Sequence, residues 1–354
     1  MMEPIRYREH SFRPDNDPVW RKRGLKTFLP RRLLGKDFSA YLSYKRALGR
    51  KFDTEELALQ LFDRFLVEER VSDAALVQPA LIEAFLASRP RTRPRSYNHL
   101  LGVLRCFFAW QVAQERLAHS PVRAHPQPVT SQLKPFLFEP AQVEDILTLA
   151  SQLPDNSRAP CRGMVYRTIF SLMYGLGLRV GEIVHLRYRD VDCQRSLLVI
   201  DKSKFGKTRL VPFGPRMAQQ IAVYLQFGVD RYGSWQPDDP VFSFSFFPER
   251  KPMRIETVSQ TFHHLILKMD PYVPPGVRQP HLHCLRHSFA VATLLRWYRT
   301  GVDPNQRLFH LSTFMGHADP ASTAWYLTIT EALLREASQR FERFADPRRE
   351  EELS

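Results

Sequence analysis

Four short stretches of this chain hold side chains able to act together on an anionic ester. Residues 175–182 read Gly-Leu-Gly-Leu-Arg-Val-Gly-Glu and supply Arg179 and Glu182. Residues 201–212 supply Lys202, Lys204, Lys207 and Arg209, and residues 281–287 read His-Leu-His-Cys-Leu-Arg-His, with His283 and Arg286 three apart. Residues 314–326 run from Phe-Met-Gly-His to a tyrosine and supply His317 and Tyr326. Guanidinium forks grip the paired oxygens of an oxyanion, and imidazoles donate hydrogen bonds or accept a proton. A lysine can protonate a departing oxygen. A tyrosine hydroxyl, with an ordinary pKa of about 10, attacks only when its proton is removed or its target is strongly polarised. Taken singly, each stretch has a plainer reading: a surface arginine, a hydrated lysine, a packed tyrosine. His281, His283, Cys284 and His287 also compose a metal-ligand set, though no second cluster of ligands stands at a familiar spacing.

Placing these groups requires particular local structure. The glycines at 175 and 177 end one helix, and Arg179 opens the next, which buries Ile183, Val184 and Leu186. Leu197 to Ile200 and Thr208 to Pro212 read as two short strands of a hairpin whose turn carries the lysines. His283 and Arg286 sit on one face of a helix continued by Phe289, Val291, Ala292, Leu294 and Leu295. Gly316 stops a helix, and Asp319 with Pro320 starts another that carries Tyr326 on its second turn.

The rest of the chain sets the frame. With 354 residues, two domains are expected. A content of 44% hydrophobic and 25% charged residues excludes a disordered protein. The net charge of +14 suits a polyanionic partner, and most of that excess lies in residues 1–135. Residues 1–35 read as a basic arm. Residues 36–120 read as helical: Asp53 is a plausible N-cap ahead of Leu57, Leu61, Phe62, Phe65 and Leu66, and a second amphipathic run starts near Ser96. Between these runs, Arg89, Arg91, Arg93 and Arg95 alternate with Pro90 and Pro94 in a loop suited to phosphate contact. Residues 121–135 form a proline-bearing linker, 136–345 a mostly helical domain with one small sheet, and 346–354 a tail. Leu333, Leu334, Ala337, Phe341 and Phe344 make an apolar stripe that a partner helix or the chain's own core could receive. The four scattered cysteines fit reduced thiols, and the polar N-terminus lacks an apolar leader. No apolar run approaches the roughly 18 residues of a membrane span. These signs point to a cytoplasmic protein.

In order along the chain, Arg179, Lys204, His283-x-x-Arg286, His317 and Tyr326 resemble the active-site set of the tyrosine recombinase (phage integrase) family. The surrounding frame is similar as well: Gly-Leu-Arg-x-x-Glu at 177–182, Lys-Phe-Gly-Lys-x-Arg-x-Val-Pro at 204–212, Leu-Arg-His-Ser-Phe-Ala at 285–290, and a tyrosine nine residues after Met-Gly-His. Cys284 departs from the family's usual aspartate, a local packing change outside the active-site set. The resemblance implies a mainly α fold with a small antiparallel β-sheet, in two domains: a helical core-binding (SAM-like) domain and a catalytic domain of the DNA breaking-rejoining fold. It implies a site-specific DNA recombinase of a mobile element that works through a 3′-phosphotyrosyl intermediate, independent of metal, ATP or other cofactor. Tyr326 is then the nucleophile, Arg179 and Arg286 hold the scissile phosphate, and His283 and His317 add hydrogen bonds, His283 also accepting the tyrosine proton. Lys204 protonates the leaving oxygen, and Glu182 orients the site. Arg89, Arg91, Arg93, Arg95, Lys202, Lys207 and Arg209 are expected to contact DNA. The implied partners are double-stranded DNA, further copies of the chain in a tetramer, and accessory recombination proteins. The alternative is a non-catalytic DNA-binding or architectural protein derived from the family.

Overall fold

The computed structural model describes residues 34–71, 77–91, 93–129, 133–201, 208–244, 250–317, 319–328 and 338. Lys202, Lys204, Lys207, nearly all of the basic arm, and the apolar stripe after Tyr326 lie outside them. The chain divides at Gln132 and Leu133 into two compact units.

Among the described residues, the first unit holds four helices: α1 (Gly35–Ala47), α2 (Asp53–Glu68), α3 (Pro79–Ala87) and α4 (Pro94–Ala113). Their apolar faces meet in an aromatic core in which Phe38 lies 4.6 Å from Phe107, and Phe62 lies 4.9 Å from Phe85. Each buried ring of this kind contributes roughly 1.5–3 kcal/mol through area removed from water. Asp53 is the first helical residue rather than the cap. Phe52 occupies the cap position in the left-handed region (φ 59°), and no side chain caps the helix. Asp53, Glu55 and Glu56 instead offset the positive end of the helix dipole from inside its first turn. α4 begins two residues before the expected start, because Pro94 fits the first helical turn, where its missing N–H has no partner to lose.

The second unit surrounds α6 (Arg162–Gly175), which buries Val165, Tyr166, Ile169, Phe170, Leu172 and Met173. α5 (Pro140–Ser151), α7 (Val180–Val184), α8 (Pro215–Tyr232) and α10 (Cys284–Arg299) pack against it, and α9 (Ile255–Met269) packs on α5 and α7. Three short strands, β1 (Val191–Asp192), β2 (Leu197–Ile200) and β3 (Arg209–Pro212), form an antiparallel sheet in the order β1-β2-β3. Leu198 pairs with Val211 on the buried face, while Leu210 points outward at 59% exposure. Thr208 donates to Asp201 Oδ1 (2.7 Å). α11 (Pro304–Met315), α12 (Ala321–Ala324) and a 3-10 turn (Trp325–Thr328) complete the described part. Among the described residues, no helix is long and apolar enough to cross a membrane.

Candidate active site

The last turn of a helix has carbonyls with no intrahelical partner, and the end of α11 offers three in a row to arginines from three other elements. Arg209, at the start of β3, donates its Nε to Phe314 O (2.9 Å). Arg286, in the first turn of α10, donates to Met315 O (2.6 Å), and Arg179, at the N-cap of α7, donates to Met315 O (3.3 Å) and Gly316 O (2.8 Å). Arg179 and Arg286 therefore share one acceptor. Arg286 also donates to Gly177 O, and its buried Nε has no partner.

Two glycines make this convergence possible. Gly177 lies at φ +59°, where a Cβ would stand 2.3 Å from the Phe289 ring, and Gly316 lies at φ +68°, where a Cβ would stand 2.7 Å from the Arg209 guanidinium. Both the left-handed backbone and the lack of room favour glycine at these positions.

One carboxylate stands among the three cations. Glu182 Oε1 accepts from Arg179 (2.8 Å) and Arg209 (2.9 Å), while Oε2 accepts from Arg209 (2.8 Å) and from the Arg179 backbone N–H (2.9 Å). Burial acts to raise its pKa, but the Arg209 bond and charge, joined by Arg179, outweigh it and hold the carboxyl down at about 2. Arg209, read from the sequence as a DNA contact, is thus turned inward: its side chain is 8% exposed, and it locks Glu182 to the end of α11. β3 packs beside α11, so a side chain at the strand's start meets the helix end before it can reach solvent.

Arg286 is fully buried. Burial first, and then the charge of Arg179, disfavour its cation, while Glu182 favours it. Three guanidiniums face one carboxylate, which leaves an excess of positive charge here and one buried donor, the Arg286 Nε, without a partner.

The imidazoles surround the tyrosine. His283 caps α10, with Arg286 and His287 in the turn that follows. The His283 and His287 rings meet edge to face at 4.7 Å. His287 Nδ1 lies 2.7 Å from the Tyr326 hydroxyl, a contact the sequence reading did not foresee, since it considered His287 only as a metal ligand. His317 Nδ1 bonds the buried Thr323 hydroxyl (2.6 Å), and its ring is stacked near Tyr326 at 6.4 Å. Tyr326 is 2% exposed and sits on the 3-10 turn after α12 rather than on the second turn of a helix, because α12 lasts only four residues. Asp319 does accept from the Ala321 N–H (2.9 Å), as its place before the helix suggested.

Burial, helped by Arg286, His281, Arg179 and His317, lowers His283 to about 4, and burial with Arg286, Arg179 and His287 lowers His317 to about 4. His287 falls to about 3 through burial and its histidine and arginine neighbours. Tyr326 is pushed up to about 12 by burial, although Arg286 and Arg179 pull the other way. All three imidazoles are therefore neutral near pH 7, and the phenol keeps its proton. Cys284 is buried and lies 3.1 Å from His281 Nδ1; burial pushes its thiol up to about 11. Among the described residues, no three metal-ligating side chains gather to hold an ion.

In the first unit, Arg89 and Arg91 are half-buried, while Arg93 and Arg95 at the start of α4 are exposed.

The sequence model of the family described as "Phage integrase family" matches residues 137–332, which include every charged group of this site. The chain belongs to the phage integrase family. Its activity class is accordingly that of the tyrosine-type site-specific recombinases. A Sinorhizobium fredii protein named "Putative integrase/recombinase y4rB" is 30% identical over 86% of this chain and 95% of its own length. Tyrosine recombinase XerD of Lacticaseibacillus casei is 26% identical over 82% of this chain and 92% of its own. Among solved structures, the Tn1549 transposon integrase in complex with transposon right end DNA superposes with a TM-score of 0.60 at 15% identity, covering 88% of this chain and 99% of that one. A lambda integrase dimer bound to a COC′ core site gives 0.57 at 17%, covering 83% and 76%. At these identities the two structures establish the integrase fold.

Proposed function

We propose that this integrase cuts and rejoins double-stranded DNA through a 3′-phosphotyrosyl link at Tyr326, in the service of a mobile element. The convergence of Arg179 and Arg286 on one carbonyl, beside the Tyr326 hydroxyl and around an unpaired Arg286 Nε, carries this reading. The two guanidiniums hold the non-bridging oxygens of the scissile phosphate, each charge-assisted bond contributing about 1.5–3 kcal/mol. His283 and His317 add hydrogen bonds to the same phosphate. The phenol oxygen forms a bond to phosphorus, the bond to the 5′-oxygen breaks, and Lys204 supplies the proton to that oxygen. The phosphotyrosyl ester conserves the energy of the broken phosphodiester, so the 5′-hydroxyl of another strand can reverse the attack without ATP or a metal ion. Glu182 and Arg209 position the arginines and touch no DNA. Arg89, Arg91, Arg93 and Arg95 bind backbone phosphates, and four copies of the chain assemble on two paired duplexes with accessory recombination proteins. The DNA complexes of the structurally similar transposon and lambda integrases support both the partner and the mobile-element setting.

A duplex nicked beside the cleavage site tests this, because cleavage then releases a short fragment and traps the enzyme on DNA. The full chain is expected to form an adduct stable on a denaturing gel, undiminished by chelator. Tyr326→Phe is expected to retain the DNA and form none. An adduct from the phenylalanine variant, or strict dependence on a divalent metal, would contradict the proposal.

A further inference from the structure

We propose that His287 is a further catalytic residue, the base that takes the proton of Tyr326 when the tyrosine attacks and returns it when the strand is rejoined. This rests on the transesterification proposed above, and it gives to a group outside the six matched to the family set the proton-accepting role that the resemblance implied for His283. Three imidazoles stand near the nucleophile, and His287 is the one in hydrogen-bond contact with its oxygen, at 2.7 Å. His317 Nδ1 is engaged by Thr323, and its ring centre is 6.4 Å from that of Tyr326. His283 reaches the edge of the His287 ring and donates nothing to the phenol among the described bonds. Proton transfer needs a heavy-atom separation of about 2.6–3.2 Å, and His287 meets that requirement.

The covalent chain adds a second argument. His287 immediately follows Arg286 in the first turn of α10, so one rigid turn grips the phosphate through one side chain and the nucleophile through the next. Movement of that turn shifts both together, which favours a fixed attack geometry.

The phenol O–H bond breaks with its electron pair kept on oxygen, which forms the bond to phosphorus, while the proton passes to His287 Nδ1. The 5′-oxygen departs with its pair and takes a proton from Lys204. The resulting imidazolium is buried beside Arg286, His283 and His281, and is tolerated while the phosphate charge is present. In rejoining, the same imidazolium delivers its proton to the departing phenol oxygen. A neighbourhood that disfavours the cation eases that return and opposes the forward transfer, so the negative phosphate held beside Arg286 has to offset it during attack.

The test is single-turnover adduct formation on the nicked duplex, using the full chain, His287→Ala and His287→Gln. A second substrate carries sulfur in place of the leaving 5′-oxygen and so needs no proton from Lys204. Loss of a general base is expected to slow adduct formation about 100-fold or more in His287→Ala, with DNA binding retained. Glutamine keeps a hydrogen-bond partner for the phenol but cannot take its proton, so His287→Gln is expected to remain slow. The sulfur substrate should not relieve either variant, and free imidazole should restore His287→Ala in part. A rate within about threefold of the parent in His287→Gln would show that holding the phenol suffices and would overturn the base assignment. Relief of His287→Ala by the sulfur substrate would overturn it too, by moving the histidine to the leaving-group side. If His287→Ala fails to fold, the glutamine variant decides alone. Absence of adduct from the parent chain would instead sink the transesterification reading on which this inference rests.

Discussion

The two units fill their interiors differently. The first fills its core mostly with rings: Phe38 packs 4.6 Å from Phe107 and Phe62 packs 4.9 Å from Phe85, with Glu56 and Asp63 the charged residues buried in that unit among those described. The second interrupts a larger apolar core with Arg179, Arg209, Arg286 and Glu182, held by the open carbonyls of α11. A ring core needs only volume and shape, whereas buried guanidiniums need every donor directed at a partner or at a ligand. An unpaired buried donor such as Arg286 Nε is therefore informative in the second unit in a way that no ring contact is in the first.

Substitutions should separate the two kinds of interior, and the largest effect is expected in the ring core. Phe107→Ala should lower stability by about 3–5 kcal/mol, the usual result of emptying an aromatic site, as read from a urea unfolding curve. A loss below about 1 kcal/mol would mean that the first unit is not held by its rings. Arg286→Lys keeps the charge but loses the fork. Adduct formation should fall about 100- to 1,000-fold, comparable to removing one donor from a transition-state anion site. Cleavage at the parent rate would show that charge alone suffices there. Gly316→Ala should cost about 1–2 kcal/mol for its left-handed backbone and should further weaken cleavage by displacing Arg209. A variant as stable and active as the parent would show that the glycine is incidental.

The smallest effect concerns acid. His283, His287 and His317 titrate in the fold at about 4, 3 and 4, below the ordinary histidine value of 6.5. Between those values the unfolded chain binds more protons than the folded one, so stability is full above about pH 6.5 and declines as pH falls toward 4. The thermal midpoint should therefore drop between about pH 7 and pH 5. A midpoint that rises over that interval would contradict the burial of these rings. Glu182 contributes lower down, its stabilisation persisting above the ordinary carboxylate range and disappearing toward pH 2.

Much of the site was readable because it breaks local rules. Arg179 next to glycines, His283 and Arg286 at the start of an apolar helix, and His317 after a helix-stopping glycine are polar groups where packing alone would place none. Their order along the chain supplied the rest through the family resemblance. The mostly helical character followed from apolar residues at helical spacing, the hairpin from two short apolar runs flanking a turn, and the fold class from the family resemblance. What the sequence could not convey depended on tertiary approach. Arg209 has the composition of a surface strand residue, and only the packing of β3 beside α11 turns it toward Glu182. His287 is 39 positions from Tyr326, and no spacing rule links them, although its place four residues after His283 was a usable sign that it shares that face. The short α12 escaped because a start signal at Asp319 does not tell how long a helix will run.

The central claim is that one phosphate is gripped by Arg179 and Arg286 while bonded to Tyr326. The most direct measurement is an experimental structure of the adduct trapped on nicked DNA. Phosphorus is expected to be bonded to the Tyr326 oxygen, with non-bridging oxygens within hydrogen-bond reach of both guanidiniums. Phosphorus attached to any other side chain, or a phosphotyrosyl group met by neither arginine, would contradict it.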